Sequence, residues 1–114
     1  MANTYRNVIV VDGTTDVKTI YTCPAETVAL VKSVSAYNTH ATDSANWILK
    51  LYDAGTTASY VYKGVPTVTA ATKVEFVRGD ESTLIVLEEG DKLQFQTTVT
   101  TANLFVSVLQ QDRT

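Results

Sequence analysis

Short apolar runs recur about every ten residues along this chain, and turn signals rich in Asp and Gly separate them. The clearest turn signals lie at 12–13, 53–55, 78–80 and 89–91. Thr, Val and Ile make up about a third of the residues, and β-branched side chains favour the pleated surface of a sheet. The sequence therefore predicts an all-β single domain, an antiparallel two-sheet β-sandwich or jelly-roll-like barrel. The expected strands are 7–11, 17–22, 27–38, 46–53, 59–63, 73–77, 83–87, 91–98 and 103–110.

Alternation within these segments predicts which side chains form the core, because the side-chain period of a strand is two. In 46–53 it points Trp47, Leu49 and Leu51 inward. The later strands add a second set of inward residues: Val74, Phe76, Leu84, Val86, Leu93, Phe95, Leu104, Val106 and Val108.

Segment 27–38 interrupts this alternation, since Val31 has the opposite parity from Val34 and Ala36. A β-bulge near Lys32-Ser33 would reconcile the two halves. Pro24 precedes this segment, and Pro66 follows the fifth predicted strand, 59–63. At both positions the N–H that proline lacks is not needed for a hydrogen bond between central strands.

Size and charge exclude several classes of function. A chain of 114 residues has material for one core. Its 9 Lys and Arg against 12 Asp and Glu give a net charge of −3, whereas nucleic-acid binding needs a basic patch. No window approaches the roughly 18–20 apolar residues of a membrane helix, and the N-terminus lacks the features of a signal peptide. We therefore expect a protein made in the cytoplasm, with no nucleic-acid partner and no membrane association.

The N-terminal apolar run has no polar face to show to water. It consists of Val8, Ile9, Val10 and Val11. Left bare it would be an aggregation hazard, so something must cover it. Two alternatives stay open: residues 1–16 are an edge strand of the same domain, or an arm that pairs with a neighbouring subunit. In both, the β-sandwich domain spans 17–114 and the four residues are a predicted interface.

No group of side chains predicts catalysis. His40 is the only histidine and stands in a predicted loop without converging partners, which favours a solvated side chain over a ligand or a base. Cys23 has no Cys-x-x-Cys partner, so we expect a buried small hydrophobe. Phosphate-loop, nucleophile-elbow and zinc-helix motifs are missing from the sequence. The chain is predicted not to be an enzyme and to need no cofactor or metal.

Two turns carry weaker alternatives. Glu88, Glu89 and Asp91 could hold a hard cation, but calcium needs about six to eight oxygen ligands, so a charged β-turn is favoured. Arg78-Gly79-Asp80 spells the tripeptide that integrin-binding proteins display, yet a turn alone explains its glycine.

Tyr60 and Tyr62 are predicted to share one face of a short strand, with Val61 on the other. Tyrosines at alternate positions suit a contact surface where the ring is buried and the hydroxyl reaches a polar partner. Carbohydrate stacking and ordinary cross-strand packing are the alternatives. Both tyrosines are therefore candidate interface residues.

Two stretches resemble a recurring pattern in small tailed-bacteriophage virion proteins. The first is Thr19-Ile20-Tyr21-Thr22-Cys23-Pro24, followed by Val31-Lys32-Ser33-Val34 and Asn38, and the second is Leu87-Glu88-Glu89-Gly90-Asp91-Lys92-Leu93, followed by Asn103-Leu104-Phe105-Val106-Ser107-Val108. The resemblance spans 17–110. It departs from the pattern at Glu26, where a turn containing Gly is common, and at the turn 78–80. It implies a β-sandwich structural component of a particle, without catalytic residues.

The resemblance also implies a place for the protein. A short chain without a long shaft favours a capsid decoration or cement protein that stabilises the virion by bridging coat subunits. Its partners would be the major capsid protein or other virion proteins, after synthesis in the host cytoplasm. Resemblance to decoration proteins implies a homo-oligomer, a trimer. A phage neck, tail or fibre accessory module that binds host surface glycan is the alternative.

Overall fold

The computed structural model describes residues 3–12, 15–40, 42–77, 85–98 and 102–112, and all of its regular structure is β-strand. The strands are β1 (Asn3–Asp12), β2 (Lys18–Thr22), β3 (Thr27–Asn38), β4 (Ala45–Asp53), β5 (Ala58–Val68), β6 (Lys73–Val77), β7 (Ile85–Leu87), β8 (Lys92–Thr97) and β9 (Ala102–Asp112). No helix that could cross a membrane occurs in these ranges. The predicted all-β architecture is confirmed.

The strands form two antiparallel sheets that pack against each other. Sheet A has the order β1-β9-β3-β6, with β7 also paired to β3, and sheet B has the order β2-β8-β4-β5. The pairing is nested: β1 pairs with β9, β2 with β8, β3 with β6 and β7, and β4 with β5. The chain is thus one long hairpin wrapped into two layers, with β1 and β5 at sheet edges.

The core lies between the sheets, around three aromatic rings. The Trp47 and Phe95 ring centroids are 5.6 Å apart, and Phe76 lies 6.0 Å from Phe95 and 6.2 Å from Trp47. Most of the predicted core is buried, while Leu51 and Val74 are half-buried and pack against it. The confirmed buried residues are Trp47, Leu49, Phe76, Leu93, Phe95, Leu104, Val106 and Val108.

The prediction for β7 is wrong: Val86 is 54% exposed, and Ile85 and Leu87 are buried. The cause is the bulge in β3. Its register with β9 shifts between Val31 and Ser33, as predicted. Ala29 and Val31 before the shift and Val34 and Ala36 after it are therefore all buried. Because β7 pairs Ile85 with Val31, it adopts the inward parity of the first half. Leu84 lies outside the described residues.

Pro66 also differs from the prediction, since it lies inside β5 and not after it. β5 is longer than expected and is an edge strand of sheet B. Its register with β4 shifts between the pairs Ala45↔Val68 and Trp47↔Val65, and Pro66 stands in that irregular step. An edge strand tolerates proline because no neighbour needs its N–H.

Candidate functional site

The N-terminal strand is sorted into two faces by its pairing with β9. β1 keeps one continuous register with β9 over its 10 residues. Val8 and Val10 point inward and pack against the core, whereas Ile9 and Val11 point outward and are 70% and 69% exposed. β1 therefore forms an edge strand within its own chain, and its pairing with a neighbouring subunit stays a prediction.

The outward residues of β1 belong to an apolar patch on the outer face of sheet A. Phe105 lies directly opposite Ile9, and Asn103 of the next row lies between Val11 and Tyr37. We call Ile9, Val11, Tyr37 and Phe105 the sheet A patch. Their exposed surface amounts to roughly 400 Å2, which is within the range of functional patches on monomers.

Sequence reasoning missed two members of the sheet A patch. Tyr37 gave no signal, because β3 is apolar at many positions of both parities. The sequence did contain a signal for Phe105: this large aromatic residue stands at an outward position between the inward-facing Leu104 and Val106. A large aromatic ring on the wet side of a strand is a mark of a contact surface.

Tyr60 and Tyr62 are exposed on β5, at 55% and 37%. The regular alternation from which they were predicted to share one face does not continue between them. Val61 pairs with Lys50, and Lys63 with the next residue, Leu49, so Tyr62 is an extra residue in a β-bulge. The bulge interrupts the alternation between the two tyrosines.

The structure does not bring the two predicted interface segments together. β1 is the first strand of sheet A and lies near β2 across the sandwich, whereas β5 ends the other side of sheet B. The width of the sheets therefore separates the two segments, Val8, Ile9, Val10 and Val11 on β1 and Tyr60 and Tyr62 on β5.

The outer face of sheet B carries several polar side chains on β2, β4 and β8, whereas exposed apolar residues of this sheet lie on its edge strand β5. The Gln94 amide of β8 links β5 with β2, the two edge strands of sheet B, since its Oε1 accepts from Ser59 Oγ at 2.8 Å and its Nε2 donates to Thr19 Oγ1 at 3.5 Å. Lys92 Nζ lies 5.0 Å from the centroid of the Tyr52 ring. These polar groups make the middle of sheet B better suited to contact with water than the sheet A patch is.

His40 shapes its own loop. Its Nδ1 accepts hydrogen bonds from the backbone N–H groups of Thr42 (3.2 Å) and Asp43 (3.0 Å), and its Nε2 lies 3.5 Å from Asp43 Oδ2. Within the described ranges, no group of three or more His, Cys, Asp and Glu residues could hold a metal ion. Both nitrogens of the His40 ring therefore contact groups of its own turn.

The loop of His40 is anchored by a buried amide that the sequence did not reveal. Asn38 has no exposed surface, and its Oδ1 accepts from His40 N at 3.0 Å. Its Nδ2 donates to three backbone carbonyl oxygens, those of Asp43 (3.2 Å), Val68 (3.1 Å) and Thr69 (3.3 Å). Asn38 thus ties the loop after β3 to the loop after β5.

Carboxylates of the acidic turn after β7 also accept hydrogen bonds from backbone N–H groups. The carboxylate of Asp91 accepts from the N–H groups of Ala54 and Glu88, both at 3.0 Å, and Glu89 Oε1 accepts from Glu26 N at 3.1 Å. These bonds stitch neighbouring turns together. The Arg78-Gly79-Asp80 turn lies outside the described residues.

Cys23 is buried beside this turn and is 2% exposed. Burial raises the pKa of its thiol, which keeps the sulfur in the unreactive protonated form. The same cause raises the pKa of Tyr21, whose hydroxyl accepts a hydrogen bond from Gln110.

The fold is that of a two-sheet β-sandwich protein with a nested strand order. The chain is similar in fold to a solved structure from Bacillus, whose endospore appendages are described as a novel family of disulfide-linked pili. The TM-score is 0.56 at 10% sequence identity, over 99% of this chain and 88% of that one. No family model and no curated protein matches the sequence.

Proposed function

We propose that this chain is a non-enzymatic structural protein of a tailed-bacteriophage virion, a capsid decoration protein that stabilises the particle by bridging coat subunits. The sheet A patch is the observation that carries the proposal. A protein that lies on a shell needs one apolar face against the coat and one polar face toward water. The sheet A patch supports the first, and the polar side chains of β2, β4 and β8 support the second.

The strand order supports a particle component at the level of fold. A hairpin that is wrapped so that the first strand pairs with the last is the connection pattern of a jelly roll, an arrangement found in viral capsid domains and in lectins. The similar Bacillus structure is also described as part of an assembled appendage. Both are analogies of fold, and the site residues carry the rest.

The lone cysteine favours association without disulfide bonds. The full sequence has one cysteine, and Cys23 is 2% exposed with a raised thiol pKa. Covalent linkage to a neighbour would require it to leave the core. The proposed contacts are therefore noncovalent.

Buried area sets the strength of a single contact. Covering roughly 400 Å2 at about 25 cal/mol per Å2 gives about 10 kcal/mol, against an association cost of about 4–15 kcal/mol. One patch alone gives a weak contact. A protein held at several points on a repeating lattice becomes durable because each bound contact raises the effective concentration of the next.

The test is binding to tailed-phage capsids that were assembled without this chain. Phe105→Glu places a charge in the patch, and Val61→Glu, on the exposed edge of sheet B, is the matched control. Cosedimentation should show at least a ~100-fold loss of affinity for Phe105→Glu and none for the control. Equal binding by Phe105→Glu and the unmodified protein would refute the proposal.

Glycan binding by a neck, tail or fibre module is the second candidate, favoured by the exposed rings on β5. Tyr60 Oη lies 3.4 Å from Thr56 Oγ1, so ring and hydroxyl groups are presented together. Titration with host surface polysaccharide should then show binding that Tyr60→Ala and Tyr62→Ala abolish. Absence of binding to the polysaccharide would remove this candidate.

A further inference from the structure

β1 leaves one side of sheet A open. One edge of β1 is hydrogen-bonded to β9 along its whole length, and no described strand pairs with the opposite edge. The backbone N–H and C=O groups on that side therefore point away from the domain. Another extended strand is the partner that satisfies such a row of groups.

The other sheet edges carry more features that discourage pairing than β1 does. β5 contains Lys63 and Pro66 and two register shifts. β2 and β6 each have 5 residues and a register shift, and β7 has 3 residues. β1 has 10 residues, no register shift and no proline, and its charged residues, Arg6 and Asp12, leave the apolar run 8–11 between them. Proteins protect exposed edges by shortness, bulges, proline and charged side chains, so a long and regular edge with an uncharged apolar run indicates an edge that pairs with another strand.

We propose that the open edge of β1 pairs antiparallel with β1 of a second copy of this chain. A second copy offers the same row of backbone groups, and pairing about a two-fold axis leaves neither edge open. Residues that face each other across the pair must point to the same side of the sheet. The two-fold axis therefore lies midway between one residue of β1 and the same residue of the second copy. Registers centred on Asn7, Val8 or Ile9 all keep most of β1 paired. Those at Val8 and Ile9 also bring the apolar Ile9 side chains of the two copies together, so the proposed register is one of these two.

Both registers join the two sheet A patches into one surface. An axis at Ile9 places the two Ile9 side chains directly opposite each other, and an axis at Val8 makes them diagonal neighbours within reach of long side chains. Residue 9 is thus close to its own copy in either case. Its present exposure of 70% leaves it free to make this contact.

The contact is small, so the dimer is weak in free solution. Seven to nine paired residues span about 24–30 Å, and a contact strip about 10 Å wide buries roughly 300 Å2 on each copy, against about 800 Å2 for a stable interface. Pairing is therefore expected at about 100 µM and above. On a capsid, neighbouring copies would be held at such effective concentrations.

This inference deepens the proposed function and takes only its biological setting from it. Dimerisation is measured without capsids, and capsid binding is tested at Phe105, so either can fail alone. Pairing of two β1 strands about a two-fold axis gives a dimer, and we propose this dimer in place of the trimer that the resemblance implies.

The test is sedimentation equilibrium of the full chain from about 5 µM to about 500 µM. Ile9→Lys brings two like charges together and should weaken dimerisation at least ~10-fold, while Val61→Lys, also on an exposed edge strand, should leave it unchanged. An equimolar mixture of Ile9→Lys and Ile9→Glu should restore a dimer, which shows that both variants are folded and that residue 9 faces its copy.

Four results would overturn the proposal. They are a monomer throughout the concentration range, a trimer, a dimer that Ile9→Lys does not weaken, and a loss of the same size in Val61→Lys.

Discussion

Replacing Asn38 by Asp tests whether the buried amide holds two loops together. The substitution keeps the size of the side chain and the oxygen that accepts from His40 N. It removes the two N–H donors that serve three backbone carbonyl oxygens. A carboxyl oxygen then faces these carbonyl oxygens, with no exposed surface through which water could intervene.

The expected cost follows from these lost donors. Each buried hydrogen-bonding partner that is lost costs about 1–3 kcal/mol, and two donors are lost, so the free energy of unfolding should fall by about 2–6 kcal/mol at pH 7. A domain is stable by about 5–15 kcal/mol, so the variant should fold but melt at a much lower temperature.

The cost should depend on pH. Burial and the surrounding carbonyl oxygens raise the pKa of the introduced carboxyl in the folded state above its unfolded value of about 3.9. A group with a raised pKa contributes its full stability below the unfolded pKa and loses it as pH rises toward the folded pKa. Relative to the unmodified protein, the variant should therefore be about 2–4 kcal/mol less destabilised at pH 4 than at pH 7.

Urea unfolding followed by Trp47 fluorescence at both pH values measures these differences. Asn46→Asp is the control, because the Asn46 side chain is exposed and contributes an acceptor, Oδ1, to Thr67 N at 2.9 Å. Aspartate keeps that acceptor, so the control should change stability by less than about 0.5 kcal/mol. An Asn38→Asp protein as stable as Asn46→Asp at pH 7 would refute the reasoning.

Three further predictions concern the core and the turns. Trp47→Ala should cost about 3–5 kcal/mol in urea unfolding, because the ring is enclosed and its Nε1 donates to Thr97 Oγ1 at 2.9 Å; a cost below about 1 kcal/mol would contradict this assignment. Stability should fall as pH rises above about 8.5, since the thiol of Cys23 has a raised pKa when folded and the unfolded thiol ionises first; Cys23→Ser should flatten that slope, and an unchanged slope would exclude the thiol as its cause. Chelator should leave the melting temperature unchanged, and a drop that calcium reverses would make the turn of Glu88 and Asp91 a cation site.

The β3 bulge shows where sequence reasoning succeeds and where it stops. The change of parity between Val31 and Val34 predicted it, because both residues are too apolar to face water. Its effect on β7 was not predictable from 83–87 alone, since those residues are apolar at both parities. The partner strand decided that Ile85 turns inward.

The candidate surface divides in a similar way. The sequence indicated that Val8, Ile9, Val10 and Val11 need cover, because four consecutive apolar residues leave no polar side in any strand. It could not place Phe105 beside Ile9, since β1 and β9 stand at opposite ends of the chain and only their register makes these residues neighbours.

Alternation, turn residues and β-branched composition are local properties, and by themselves they determined the strands, the all-β class and most of the core. Tertiary structure alone decided which strands lie at open edges, which apolar residues meet on one outer face, and that Asn38 is buried at the junction of two loops. These features depend on contacts between residues far apart in the chain. Local patterns fix which way a side chain points, and strand order fixes what it meets there.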